Sequence, residues 1–459
     1  LDGGVKFDVS EMTLTKDRLS QIQELNDEIV DDDDYEDENE EVNDKNDLQG
    51  CFKLMVDTLS KQAPETISQV QLFVKELRRI ILLWDELWLR TLAQHQSEIK
   101  KREKQLQIEI DKVNRNDHLT SEEKINLIKD KYHIITKPII FIIEQLHDIT
   151  IVSEPETPHE KQFQEKYSDF IVDVLNKLKN PRDAQHPEEW ELLGLLQGKF
   201  QKKAGKVQYT LKMNEISPVL AQMRDTVIAM PGSSSTNVTI SSVSNHVAIL
   251  PTKTKPKKLI FHGSDGQQYT YLFKGLEDLH LDERIMQFLS IANTMMAHNN
   301  PTNGSLYKAR HYSVIPLGPR SGLISWVDGT TPVFALYKRW QQREAAKQNK
   351  QTQSILGPSE LFHNKLNQVL EENNKENKEN HKEWIFHVLK QVLKELMAET
   401  PTDLITKELW FHSINAGVWW EMTRRYSYSV AVMSIIGYVI GLGDRHLDNV
   451  LIDWNTGEV

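Results

Sequence analysis

GLGDRHLDNVLID, residues 441–453, decides how the chain is read. Residues 430–442 carry no formal charge, and Asp444, Arg445, His446, Asp448 and Asn449 then follow almost without interruption. An unpaired charge is costly to bury, so a charged cluster against an apolar segment implies either an exposed polar turn or a working loop at the edge of a core. Gly441 and Gly443 give the backbone freedom to leave a preceding helix with dihedrals that other residues resist.

The spacing favours the working loop. Asp444 and Asn449 stand five positions apart, the interval between the acid and the metal-binding Asn in the H-R-D-x-x-x-x-N loop of phosphoryl-transfer enzymes. Here the order around the acid runs Asp-Arg-His. One acid orients and deprotonates a hydroxyl, one amide oxygen holds a metal ion, and a His or Arg steadies the moving phosphoryl charge. Asp448 is a rival base, but it breaks the five-residue interval.

A second element lies upstream. In QYTYLFKG, residues 268–275, strand alternation puts Tyr269, Tyr271 and Phe273 on one face and Thr270, Leu272 and Lys274 on the other. Lys274 leaves the strand end, and the following helix carries Asp278 and Asp282 on one side. A lysine on nucleotide phosphates, held by a carboxylate on the adjacent helix, is a recurring part of phosphoryl transfer. No G-x-G-x-x-G occurs, so a conventional glycine-rich nucleotide loop is excluded. SSVSNHVAIL, residues 241–250, stands in its place, with Ser and Asn positioned to offer backbone N–H groups from a turn between strands.

The 459 residues suffice for several domains, and 39% hydrophobic with 27% charged residues reads as globular with solvated insertions. The single cysteine, Cys51, leaves no internal disulfide framework or cysteine zinc site and fits a reducing compartment. The apolar run at 430–442 is too short for a bilayer span of roughly 20 residues, and nothing resembles a signal peptide. Nine acidic side chains sit in DDDDYEDENEE, residues 31–41; taking them from the net −12 leaves about −3, which gives no nucleic-acid or membrane signal. That acidic run reads as a solvated, self-repelling linker. The first residue, Leu1, and the strand-like ending read as an excerpt of a longer chain.

Residues 51–204 read as helical. Ile67, Val70, Val74, Leu77, Ile81, Trp84, Leu87 and Trp88 recur at three- and four-residue steps, as on one buried helix face. Thr120 with Glu123, and Thr157-Pro158 with Glu160, mark two helix starts. Short β-branched and aromatic runs begin near residue 238, a hairpin turn is signalled at 264–266, and a helix follows. The Lys/Asn/Gln/Glu-rich stretch at 343–383 reads as a solvated insertion with a short helix around 361–370.

KGLEDLHLDERIMQ after the lysine strand, together with D-R-H-x-x-N and no glycine-rich loop, resembles the phosphatidylinositol 3-kinase-related protein kinases. PTKTKPKKL, HYSVIPLGPRSGLISWVDG and LYKRWQQREAA are most similar to the branch acting in nonsense-mediated mRNA decay. Upstream, LWDELW and ETPHEKQFQEKYSD resemble the helical FRB-type insertion of these kinases. The resemblance implies an α+β fold with a bilobal kinase domain, its larger lobe incomplete, behind helical segments. Residues 1–65 would end a FAT-type helical region with an acidic insertion at 28–48. Residues 66–204 would include an FRB-like four-helix bundle, 205–324 the small lobe, and 325–459 the hinge and part of the large lobe.

By the same resemblance, Lys274 holds the nucleotide phosphates, Asp282 is its partner acid and Glu277 a second contact near the nucleotide. Trp326 and Val327 form the adenine hinge, and Ser242, Ser244 and His246 belong to the phosphate-covering loop. Asp444 is the catalytic base, His446 a phosphate-stabilising group and Asn449 a metal ligand. The implied cofactors are ATP with Mg2+ or Mn2+. The implied substrate is an RNA helicase of mRNA decay with Ser/Thr-Gln sites, with regulatory subunits on the helical solenoid and a cytoplasmic or also nuclear location. The family's second metal-binding Asp and activation loop would lie beyond Val459, so this stretch alone is expected to be inactive. A lipid kinase of the same superfamily or a pseudokinase scaffold are the alternative readings. Having almost no apolar surface, residues 31–41 should be dispensable for folding; their deletion is expected to leave thermal unfolding cooperative and little shifted.

Overall fold

The computed structural model describes residues 53–181, 189–204, 210–233, 238–250, 252, 254–299, 306–347, 356–372 and 386–459. The acidic run and parts of the insertion at 343–383 lie outside the described residues. The chain divides into two compact units. One holds the described residues up to Arg284 together with Ser313–Trp326, and the other holds Ile285–Tyr312 and Val327–Val459.

In the first unit, helices α1 (Pro64–Ile81), α2 (Trp84–Gln94), α3 (Gln96–Asn114), α4 (Ser121–His147), α5 (Pro158–Lys179) and α6 (Glu189–Ala204) follow in order. The periodic run at 67–88 is two helices rather than one face. Leu82 and Leu83 are extended, and the break divides the run between two cores. Val74 and Leu77 of α1 pack on the sheet described below, while Trp84, Leu87 and Trp88 of α2 enter the core of α2–α6 with Tyr132, Phe163 and Phe200. Inside that bundle the Trp88 indole donates to Thr150 Oγ1 at 3.0 Å, and the Tyr132 hydroxyl donates to the Leu178 carbonyl at 2.9 Å. Both marked helix starts are present. Thr120 caps α4 reciprocally with Glu123, and Thr157 Oγ1 accepts the Glu160 N–H ahead of α5.

The antiparallel sheet contains β1 (Thr210–Lys212), β2 (Ile240–Val243), β3 (His246–Ile249), β4 (Lys257–Gly263), β5 (Gln268–Gly275), β6 (Val314–Gly318) and β7 (Ser321–Ser325). Their order is β1-β3-β4-β5-β7-β6, with β2 also on β4. The turn at 264–266 forms as expected: Gly266 has φ +77, and Asp265 accepts from the Gln267 N–H and the Tyr269 hydroxyl. Those two donors hold the Asp265 carboxyl below the usual carboxylate range. Phe73, Leu77 and Ile80 of α1 close the inward face over Leu259, Phe261, Tyr271 and Phe273.

Helix α7 (His280–Asn299) begins in the first unit and continues in the second, where Leu289 packs with Ala309 and Val432. Residues 285–312, counted with the small lobe expected at 205–324, fall in this second unit. That unit adds β8 (Thr330–Pro332), α8 (Val333–Lys347), α9 (Pro358–Glu372), α10 (Phe386–Glu399), α11 (Leu404–Phe411), α12 (Ala416–Ile440) and β9 (Leu451–Asp453). Helix α9 covers the short helix expected at 361–370 and pairs with α10 through Leu366, Val369, Val388 and Val392. Among the described residues no helix is long and apolar enough to cross a membrane.

Trp88→Phe should keep an aromatic side chain in the core but remove the indole N–H, leaving Thr150 Oγ1 without that donor in a buried setting. A loss of about 1–3 kcal/mol is expected, read as an earlier midpoint in urea unfolding.

Candidate functional site

Lys274 stands next to last in β5, pairing with Gly322 of β7. Its inward neighbours Tyr271 and Phe273 are buried, so alternation turns Lys274 outward, as read from the sequence. Just beyond it Leu276 has φ +68, a left-handed conformation costly for a branched residue, and its N–H donates to the Arg320 carbonyl. That reversal brings Glu277 back onto the lysine: Lys274 Nζ lies 2.8 Å from Glu277 Oε2. Asp282, the expected partner acid, is instead exposed in the first turn of α7. The pairing with Glu277 has a physical cause, since one positive φ redirects the chain before the helix begins.

The expectation for Ser242, Ser244 and His246 also needs correcting. β2 and β3 do not pair with each other; both lie along the same edge of β4. Ser242 is opposite His262, which is opposite Gln268, six residues along β5 from Lys274 and therefore roughly 20 Å away. The Ser244 N–H is committed to the Ile260 carbonyl, and His246 pairs with Lys212. The connection that turns back toward the lysine is the one between β3 and β4. It is closed by Leu250 N–H donating to the Pro256 carbonyl, with Lys255 at φ +47, and it re-enters the sheet at Lys257, opposite Phe273.

Trp326 continues β7, its N–H donating to the Thr270 carbonyl at 2.9 Å. The division between the two units falls at its bond to Val327. Lys258 Nζ sits 4.1 Å from the Trp326 ring centroid, a cation–π contact that sequence reading missed. The Val327 carbonyl accepts from Thr330 Oγ1 at 3.2 Å.

In the second unit, α12 ends at Gly441 with φ +65, a left-handed cap. Asp444 itself is strained, with φ +54. Aspartate tolerates this region better than most residues, and such strain is characteristic of functional loops. Asn449 closes the loop across the five-residue interval: its Nδ2 donates to the Asp444 carbonyl at 2.9 Å and to Asp444 Oδ2 at 3.1 Å. The Asp448 N–H donates to His446 Nδ1 at 3.3 Å, which places the ring proton on Nε2, facing Asp444 Oδ1 at 3.8 Å. Asp444 and His446 are exposed, with side-chain accessibilities of 79% and 55%. The loop is pinned at its far end, where the Phe334 and Val333 N–H groups donate to the Leu447 and Val450 carbonyls and β9 pairs with β8. Asp453, buried in β9, is matched by Arg310 at 3.1 Å.

Comparison with known proteins bears on this geometry. The family described as phosphatidylinositol 3- and 4-kinase matches residues 268–459, from the lysine strand through the Asp444 loop. Over 429 residues the chain is 48% identical to the serine/threonine-protein kinase SMG1 of Danio rerio, covering 90% of this chain and 12% of that protein. It is 44% identical over 425 residues to Smg1 of Drosophila melanogaster, covering 89% and 13%, and 27% identical over 412 residues to the kinase TOR of Oryza sativa, covering 88% and 15%. This chain belongs to the phosphatidylinositol 3-kinase-related kinases. It spans about an eighth of the length of the SMG1 relatives it matches.

For a member of this family the geometry separates two acids that the resemblance had placed together at the nucleotide. Glu277→Gln should weaken MgATP binding by about 1–3 kcal/mol, the worth of a charge-assisted contact, while Asp282→Asn should stay within about 0.5 kcal/mol. Isothermal titration with MgATP checks the order, and a larger effect from Asp282→Asn would restore that residue as the lysine's partner.

Proposed function

We propose that this chain carries the nucleotide-binding and base-bearing parts of an ATP-dependent protein serine/threonine kinase. The observation that supports the reading most is the Asp444–Asn449 pair. Asn449 spends its amide N–H groups on Asp444, so its Oδ1 remains for a hard cation, and Asp444 Oδ1 remains for a substrate hydroxyl. Among the described residues no group of three or more His, Cys, Asp or Glu could hold a metal ion. One amide oxygen nevertheless suits Mg2+ or Mn2+, which near phosphates takes few protein ligands and completes its shell from the nucleotide and water. When bound, the ion neutralises charge on the phosphates being parted.

The remaining roles follow from the same chemistry. Lys274, braced by Glu277, holds nucleotide phosphates, and Trp326 with Val327 provides a flat, partly buried surface and backbone groups for adenine. Asp444 receives the proton of a serine or threonine hydroxyl, and the Nε2–H of His446 steadies charge on the transferring group. Similarity to the SMG1 kinases supports a role in nonsense-mediated mRNA decay, with Ser/Thr-Gln sites on an RNA helicase as substrate and regulatory subunits on the helical segments. A single cysteine supports a reducing compartment, the cytoplasm with the nucleus as a second location.

In the full-length protein, Asp444→Asn is expected to lower transfer to a Ser-Gln peptide by about 10²–10⁴-fold with ATP affinity little changed. Asn449→Ala should show a defect partly relieved by raising Mn2+, and Asp448→Asn should retain turnover. Phosphoinositide vesicles supplied in place of peptide should receive no phosphate; transfer to lipid would favour the lipid-kinase reading. Loss of transfer in Asp448→Asn with near-normal Asp444→Asn would show that the wrong acid has been assigned.

A further inference from the structure

The inward face of β4 reads Lys257, Leu259, Phe261 and Gly263, all buried. Alternation therefore sends a lysine into the core beside Phe273, a position that is unfavourable for an ammonium without fixed partners. Its side chain is 4% exposed. Two acceptors meet it, both from the corner between α1 and α2. Glu86 Oε2 lies at 2.8 Å and the Ile81 carbonyl at 3.0 Å.

Each partner has its own reason to be there. Ile81 is the last residue of α1, and its carbonyl is one of those left without an intrahelical donor. Glu86 stands in the first turn of α2, where the same Oε2 also accepts the Leu83 N–H at 3.0 Å and so caps the helix. The corner touches the sheet twice more. A Cβ at Gly275 would overlap Ile81 Cγ2, and Arg78 Nη2 donates to the Leu317 carbonyl at 3.1 Å. Three strands, β4, β5 and β6, are thus gripped at the end that carries Lys274, and Lys257 is also where the β3–β4 connection re-enters the sheet.

We propose that Glu86 and Lys257 are positioning residues for the nucleotide site. Their ion pair locks the first turn of the helical bundle to the strand end bearing Lys274, so that the setting of α2 is read out as ATP affinity. The inference rests on the kinase reading above and extends it: the bundle, through Trp88 in its core and Glu86 at its edge, is mechanically continuous with the phosphate-holding lysine. A ligand or partner that shifts α2 would change affinity for ATP without touching the nucleotide.

The test uses the full-length protein and steady-state transfer to a Ser-Gln peptide, with KM for MgATP, KM for peptide, kcat and thermal midpoint measured together. Glu86→Gln keeps an acceptor for Leu83, and Lys257→Met replaces the buried ammonium with an apolar chain of similar length. Each is expected to raise KM for MgATP about tenfold, within the usual range of coupling between sites, with peptide KM unchanged. The double variant should be no worse than either single, because both remove one shared interaction. A lower thermal midpoint with unchanged KM for MgATP would reduce the pair to a structural tie and overturn the inference, as would fully additive effects in the double variant. Glu86→Gln decides the matter even where Lys257→Met does not accumulate. Lys274→Ala runs alongside: if it leaves MgATP binding intact, the kinase reading itself fails and takes the inference with it. If Lys274→Ala loses binding while Glu86→Gln does not, the inference alone fails.

Discussion

Every residue of β5 is committed twice, once to a ladder and once to a face, and the candidate nucleotide site follows from that double constraint. β4 on one side and β7 on the other fix the register residue by residue. Tyr271 and Phe273 must then point into the core under α1, and Lys274 must point out. A slip of one residue would bury the lysine and expose both aromatics, so the hydrophobic pattern itself enforces the position of the functional group. Gly275 ends the strand where the close approach of Ile81 leaves no room for a Cβ. Only after that point does the backbone turn, through the positive φ of Leu276, to return Glu277 to its lysine.

The Asp444 loop is held by a different device. No ladder runs through residues 444–449; side chains and single backbone bonds do the work instead. Gly441 ends α12, the Leu442 N–H returns to the Gly437 carbonyl, and Asn449 bonds to both the backbone and the carboxylate of Asp444. β9, with its buried Asp453 matched by Arg310, and the N-terminus of α8 fasten the exit. The carboxylate is thereby fixed in direction while staying open to solvent. A base that must meet an incoming hydroxyl needs that combination.

What the sequence made legible divides along the same physical line. Features encoded by period or by a local hydrogen bond could be read: the alternation in QYTYLFKG, the caps at Thr120 and Thr157, the 264–266 turn and the Asp444–Asn449 interval. Features set by a single backbone dihedral or by long-range packing could not. Leu276 gave no sign of its positive φ, so helical spacing offered Asp278 and Asp282 beside the lysine and could not point to Glu277. Ser242–His246 has the composition of a turn, but its Ser244 N–H is taken by Ile260 of β4 and His246 pairs with Lys212 of β1. The helical period at 67–88 runs unbroken through Leu82 and Leu83, although the residues on either side serve different cores.

Lys257 shows how a charge in a strand can carry information that its composition hides. KPKKL looks like a solvated basic stretch, yet period two assigns its middle lysine to the same face as Leu259 and Phe261. Burial in that position is tolerable only where acceptors are already waiting, and the α1–α2 corner presents two that its own helices leave available. The neighbouring Lys258, one residue on and therefore on the opposite face, covers the Trp326 ring instead. Adjacent lysines thus reach the helical corner and the hinge from the two faces of one strand. Because the same strand is hydrogen-bonded along its length to β5, displacement at either face is carried to the strand that bears Lys274.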